Sequence, residues 1–176
     1  IFFKYDIWNE GSKDLEDVYF AMYTDIDVGN VSGGDPEYGD DFIGFDKENN
    51  FLYFYDDGIS NEWPGGTTGY FGVSFLGTPE VNNSQLGITD MHYYLWDDDE
   101  NNDFDTLQYG IMSSDPALYN SSVGNRYFHL GSNFPNLHYD DPATIRSGGD
   151  DLVATISSGP YKLNRSDTLT FYIAIM

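Results

Sequence analysis

The chain has no cysteine. Disulfide staples, thiolate metal sites and cysteine nucleophiles are thereby excluded. It is also poor in positive charge: seven Lys and Arg stand against thirty Asp and Glu, a formal net charge of -23. Without a basic face to meet phosphates, nucleic acid is excluded as a partner, and an anionic membrane surface is disfavoured. No apolar run reaches the roughly 18 residues that a membrane span requires. No His-Glu-x-x-His, Gly-x-Ser-x-Gly or phosphate-loop motif occurs. Alanine is scarce, Gly, Asn and Asp interrupt nearly every window, and no segment repeats at a fixed period. Nothing therefore reads as an amphipathic helix or a solenoid.

What is present is aromatic and β-branched. At 40% hydrophobic and 18% aromatic, the chain folds despite its charge. Its 176 residues suit one domain, 1–176, large enough to bury a core without staples. Short runs alternate with turn clusters such as "NEGSKD", "DKENN" and "DDDENNDFD". Strands are expected at Ile1–Trp8, Val18–Asp25, Phe42–Asp46, Phe51–Tyr55, Tyr70–Leu76, Met91–Trp96, Thr106–Met112, Arg126–Leu130, Leu152–Ser157 and Thr168–Ile175. In "TLTFYIAIM", Leu169, Phe171, Ile173 and Ile175 fall on one face at period two. A short helix is placed near "DPALYN". The fold class read from this is all-β: an antiparallel β-sandwich, jelly-roll or Ig-like, with long acidic loops.

The acidic loops carry the candidate chemistry. Asp25, Asp27, Asp40, Asp41 and Asp46 lie within "YTDIDVGNVSGGDPEYGDDFIGFD". Hard oxygen ligands at this density suit Ca²⁺, which takes about six to eight oxygens. Asp-x-Asp sets two carboxylates on one side of an extended segment, and Gly29 lets the chain turn around an ion. The segment is not an EF-hand loop, because the Gly at position 6 and the terminal Glu are missing. Asp97, Asp99, Asn101 and Asp103 form a second candidate cation site, weighed against a solvated hairpin loop. Acid pairs beginning at Asp56, Asp140 and Asp150 complete a site only if folding carries them to Asp25.

Asn-x-Ser/Thr sequons at Asn30, Asn82, Asn120 and Asn164 are candidates for N-linked glycans; chance at this composition gives about two. Tyr53, Phe54, Tyr55, Trp63, Tyr93, Tyr94 and Trp96 offer rings for sugar stacking or, alternatively, for core packing. Trp63, in the loop "NEWPGG", is the candidate for stacking on a polysaccharide. The three histidines carry no catalytic spacing: His92 and His129 lie in strand-like runs, and no acid is singled out by an apolar pocket. No enzymatic activity is expected.

Both ends are apolar, "IFFKYDIW" and "TLTFYIAIM", with neither an initiator Met nor a signal-peptide pattern at the start. This is the expectation for a module cut from a longer chain. It equally fits a self-assembling filament or surface-layer subunit whose terminal strands pair with identical subunits.

Three segments together carry a resemblance: "YDIWNEGSKDLEDVYFAMYTDIDVG", "DDFIGFDKENNFLYFYDDG" and "ISSGPYKLNRSDTLTFYIAIM". The set resembles an accessory β-sandwich module of large secreted or cell-surface bacterial proteins, Bacteroidota-like, often found beside subtilisin-like proteases. The resemblance implies a non-catalytic extracellular module, with Asp25, Asp27, Asp41 and Asp46 at the matching acidic positions. Its partners would be other modules of the same polypeptide. One departure is "LNRSD", where the pattern has a Pro-Gly-Asp turn.

Overall fold

Chains built of β-branched and aromatic runs between turn residues bury one face of each run by stacking sheets. The computed structural model, which describes residues 1–29, 37–46, 48–56, 68–95, 105–113, 115, 127–129 and 149–176, has that arrangement. Its elements are β1 (Phe2–Trp8), β2 (Leu15–Asp25), β3 (Asp41–Asp46), β4 (Phe51–Asp56), β5 (Tyr70–Gly77), β6 (Glu80–Val81), β7 (Ser84–Gln85), β8 (Asp90–Leu95), α1 (Asp105–Ser113), β9 (Tyr127–His129), β10 (Leu152–Leu163) and β11 (Thr168–Ile175). A five-stranded sheet runs β1-β11-β5-β4-β3 and a four-stranded sheet β2-β10-β8-β9. Every strand pairing among the described residues is antiparallel. The fold is an antiparallel β-sandwich.

Period-two patterning decides what lies between the sheets. Ile43 and Phe45 of β3, Leu52 and Phe54 of β4, Val73 and Phe75 of β5, and Ile173 of β11 meet Met91 and Tyr93 of β8 and Leu152, Ala154 and Ile156 of β10. A second cluster, Tyr161, Leu163, Leu169 and Phe171, extends the core along the far half of β10. There β10 pairs with β2 through register shifts on either side of Tyr161. The expected face of β11 is the buried one: Leu169, Phe171 and Ile173 are all under 9% exposed. The two terminal strands pair with one another from Phe2↔Ala174 to Trp8↔Thr168, and β1 forms a sheet edge.

One expectation is corrected, and one element was not foreseen. Residues 106–112, read as a strand, form α1. Leu107, Tyr109 and Ile111 alternate as a strand would, but Leu107, Gly110 and Ile111 also fall at helical spacing, and those three are buried. Leu107 and Ile111 pack on Val153 of β10, on the sheet face away from the main core. Ser157 Oγ donates to the carbonyl of Met112 at 2.8 Å, and Tyr109 Oη to that of Asp17 at 3.0 Å. Asp90, His92 and Thr155 are buried on this same sheet. The unforeseen element is a hairpin, β6–β7. Its turn residues Asn82 and Asn83 have φ of 55° and 63°, the left-handed pair that a two-residue type I′ turn demands. The helix placed near "DPALYN" lies outside the described residues.

Candidate metal centre

The register of β10 against β2 builds the centre. Val153 stands opposite Asp25. Continued two residues outward, the same antiparallel register sets Asp151 beside Asp27. The carboxylates of Asp25, Asp27 and Asp151 converge, each offering an oxygen within 4.8 Å of the other two. Metal–oxygen bonds of about 2.3–2.6 Å let one ion span oxygens up to roughly 5 Å apart. Asp25 and Asp27 are exposed and Asp151 is half-buried, which leaves water access to complete the shell of a bound ion. This triad could hold a metal ion.

A more deeply buried set of acids lies at the same end of the sandwich. The backbone N–H of Asp150 donates to the carbonyl of Asp41 at 2.9 Å, an isolated bridge that ties the start of β3 to the start of β10. Asp41 is fully buried. Its Oδ1 accepts the N–H of Val28 at 3.0 Å, which closes the turn after Asp27 over the end of β3. Burial pushes its carboxyl up to about 8, against the one hydrogen bond from Val28, and the charges of Asp27, Asp40 and Asp56 add to the rise. Asp56 stands directly opposite Asp41 on β4 and is 6% exposed. Two glycines make the closeness possible. Gly29, at φ 111°, has no room for a Cβ beside the Asp56 carboxylate, and Gly149, at φ 76°, has none beside the backbone of Asp40.

Of the five acids expected to share one ion, the structure brings Asp25 and Asp27 together and adds Asp151. Asp40 and Asp41 lie behind them at the start of β3. Asp46 does not belong to the centre. It is five residues along β3 from Asp41, about 17 Å at strand rise. There it accepts the N–H of Glu48 at 3.0 Å, the N–H of Asn49 at 3.2 Å and the side-chain amide of Asn49 at 2.6 Å, shaping the β3–β4 turn. The signal for Asp151 was its acid pair with Asp150; what sequence lacked was the strand pairing that carries it to Asp27.

The remaining candidates divide likewise. Asp97, Asp99, Asn101, Asp103, Trp63, Asn30 and Asn120 lie outside the described residues. Asn82 is exposed at the tip of the β6–β7 hairpin. The Nδ2 of Asn164 donates to Asp167 at 2.7 Å. The "LNRSD" turn closes with Asp167 N donating to Asn164 O at 3.0 Å, and Ser166 takes φ 67°, the position where the Pro-Gly-Asp pattern has its Gly. Phe54 and Tyr93 are core residues, not stacking platforms. Tyr53 and Tyr55 are half-buried on the outer face of the five-stranded sheet, where Tyr55 stacks on Phe42 with centroids 5.2 Å apart.

No family model, curated protein or solved structure matches the chain. Among the described residues, no helix is long and apolar enough to cross a membrane.

Proposed function

We propose that this chain is a non-catalytic extracellular module, part of a secreted or cell-surface protein, whose sandwich is stabilised by calcium. The observation that carries the reading is the meeting of Asp25, Asp27 and Asp151 where β2 ends and β10 begins. An all-oxygen, carboxylate-rich, partly solvated set matches the preference of Ca²⁺; imidazole and thiolate, which softer metals favour, are absent from it. The net charge of -23 supports the same reading, because a divalent ion relieves repulsion among neighbouring carboxylates. Extracellular calcium, near millimolar, matches the weak sites of extracellular modules, and the resemblance of the two chain ends to such modules agrees.

The ion acts on stability. At about 1 mM Ca²⁺ and a Kd of about 10⁻⁴–10⁻³ M, one site contributes about 0.4–1.4 kcal/mol. For a chain of this size that raises the Tm by about 1–5 °C. Scanning calorimetry in millimolar Ca²⁺ and in EDTA measures the shift, and Asp151→Asn should shrink it. Superimposable curves in the two buffers would sink the calcium reading.

A further inference from the structure

The acids behind the triad pose a separate problem. Asp41 and Asp56 face each other across the β3–β4 pair. Opposite residues in a sheet hold their Cβ atoms about 4.5–5.5 Å apart, and like charges placed so destabilise it. Asp41 is fully buried, which removes the water that would screen it. Oδ1 of Asp41 is satisfied by Val28. Its Oδ2 is buried and has no hydrogen-bond partner among the described residues. Ionised, that oxygen lacks a donor and a countercharge among the described residues. Protonated, it lacks an acceptor. The Lys4–Asp6 and Lys162–Glu16 ion pairs involve other strands.

A cation resolves both deficits at once. We propose that Asp41, through Oδ2, and Asp56 hold a second calcium ion at an inner position, behind the Asp25–Asp27–Asp151 triad. The backbone is shaped for it. The 28–29 segment is drawn onto both carboxylates, by the Val28 N–H on Asp41 and by the bare Cα of Gly29 against Asp56. Asp27 and Asp40 bring further negative charge to bear on Asp41, which deepens the well for a divalent ion. Calcium fits better than magnesium because it accepts irregular carboxylate and carbonyl ligation, whereas magnesium keeps several waters, for which a buried position has little room. The ion would link β3 and β4 to the turn leaving β2, and so join the two sheets at this end. The inner position extends the calcium reading of the triad but rests on different atoms.

Isothermal titration calorimetry with Ca²⁺ into the chelator-treated chain, in a Mg²⁺-containing buffer, separates the two. The expected stoichiometry is two ions for the parent chain, one for Asp41→Asn, one for Asp56→Asn and one for Asp151→Asn. Asp41→Asn retains the oxygen that receives the Val28 N–H, so it removes a ligand without opening the turn. If Asp41→Asn and Asp56→Asn bind as many ions as the parent chain, the inner position is wrong and the triad reading survives. If a single ion is lost in the Asp41 variant and kept in the Asp151 variant, the inner position stands and the triad reading falls. A single ion that both variants abolish, or no binding at all, overturns the inner position. Should neither inner variant fold, the Asp151 variant decides: one ion left bound upholds the inner position, and none left overturns it.

Discussion

Strand β3 begins and ends with aspartate, and its two ends behave as different chemistry. Asp41 is fully buried, receives one hydrogen bond, and has its carboxyl pushed up to about 8 by loss of water. Asp46 accepts three hydrogen bonds at the surface. The amide of Asn49, first among them, holds its carboxyl below the usual range. Both residues come from one acidic stretch and sit on one strand of six residues. Residue type does not set the role. The number of N–H donors aimed at the carboxylate, and the access of water to it, set the role. One end of the strand has a carboxyl oxygen with no hydrogen-bond partner among the described residues, and the other already has its partners.

The largest test of that contrast is Asp41→Asn in chelator. The sign follows from proton counting. Between the ordinary carboxyl value of 3.8 and about 8, folded Asp41 keeps a proton that the unfolded chain has shed. Stability attributable to this group therefore falls as pH rises through that window, and the loss is complete above pH 8. A carboxyl raised from 3.8 to about 8 corresponds to on the order of 5 kcal/mol. A buried amide nitrogen without an acceptor costs about 1–3 kcal/mol in return. The variant should match or fall below the parent chain near pH 4 and exceed it by about 3 kcal/mol above pH 8, a rise in Tm of roughly 10 °C. Paired thermal melts across pH 4–9 in EDTA measure this. A parent-minus-variant difference that is flat with pH would mean that water reaches Asp41, and the contrast between the strand ends would collapse.

Gly29→Ala probes the same end through shape rather than charge. At φ 111° an L side chain is strained, and its Cβ would collide with the Asp56 carboxylate. Such strain costs about 1–3 kcal/mol, so the expected Tm falls by about 2–10 °C. Chemical denaturation should give the same loss at constant slope. An unchanged midpoint would show that the 28–29 segment is free to swing away from Asp56, leaving the inner acids open.

How much of this could be read beforehand follows from the range of the interactions. Patterns that repeat within a strand were legible: β11 shows its buried face in four alternating residues, and its bounds are Thr168–Ile175 as expected. The 106–112 segment was not, because Leu107 and Ile111 satisfy both periods and only packing on Val153 decides between them. The β6–β7 hairpin had a local signal, the Asn82–Asn83 pair, between strands of two residues each that are too short to show alternation. At the candidate metal centre, Asp25 and Asp27 were legible from their spacing. Asp151 was not, because it arrives through the pairing of β10 with β2, a strand distant in sequence, and Asp56 was not, because its place opposite Asp41 depends on the exact register of the β3–β4 hairpin. Asp46 was placed with them wrongly because density of acids along the chain does not say which end of a strand each occupies.

The smallest effect belongs to the exposed end. Asp46→Ala removes the acceptor for Glu48 and Asn49, and it loosens a turn held on its other side by Asn50, whose Oδ1 accepts the N–H of Ile88 at 3.1 Å. Its carboxyl is lowered in the fold, so the stability it contributes is present above the ordinary value of 3.8 and is lost as pH falls through the lowered one. The variant should melt slightly below the parent chain at pH 7, and the gap should close toward pH 3, opposite in slope to that of Asp41→Asn. Calcium should bind the Asp46 variant with unchanged stoichiometry, because the residue lies about 17 Å from Asp41 along the strand. A lost ion in that titration would place Asp46 at the metal centre after all and erase the difference between the two ends of β3.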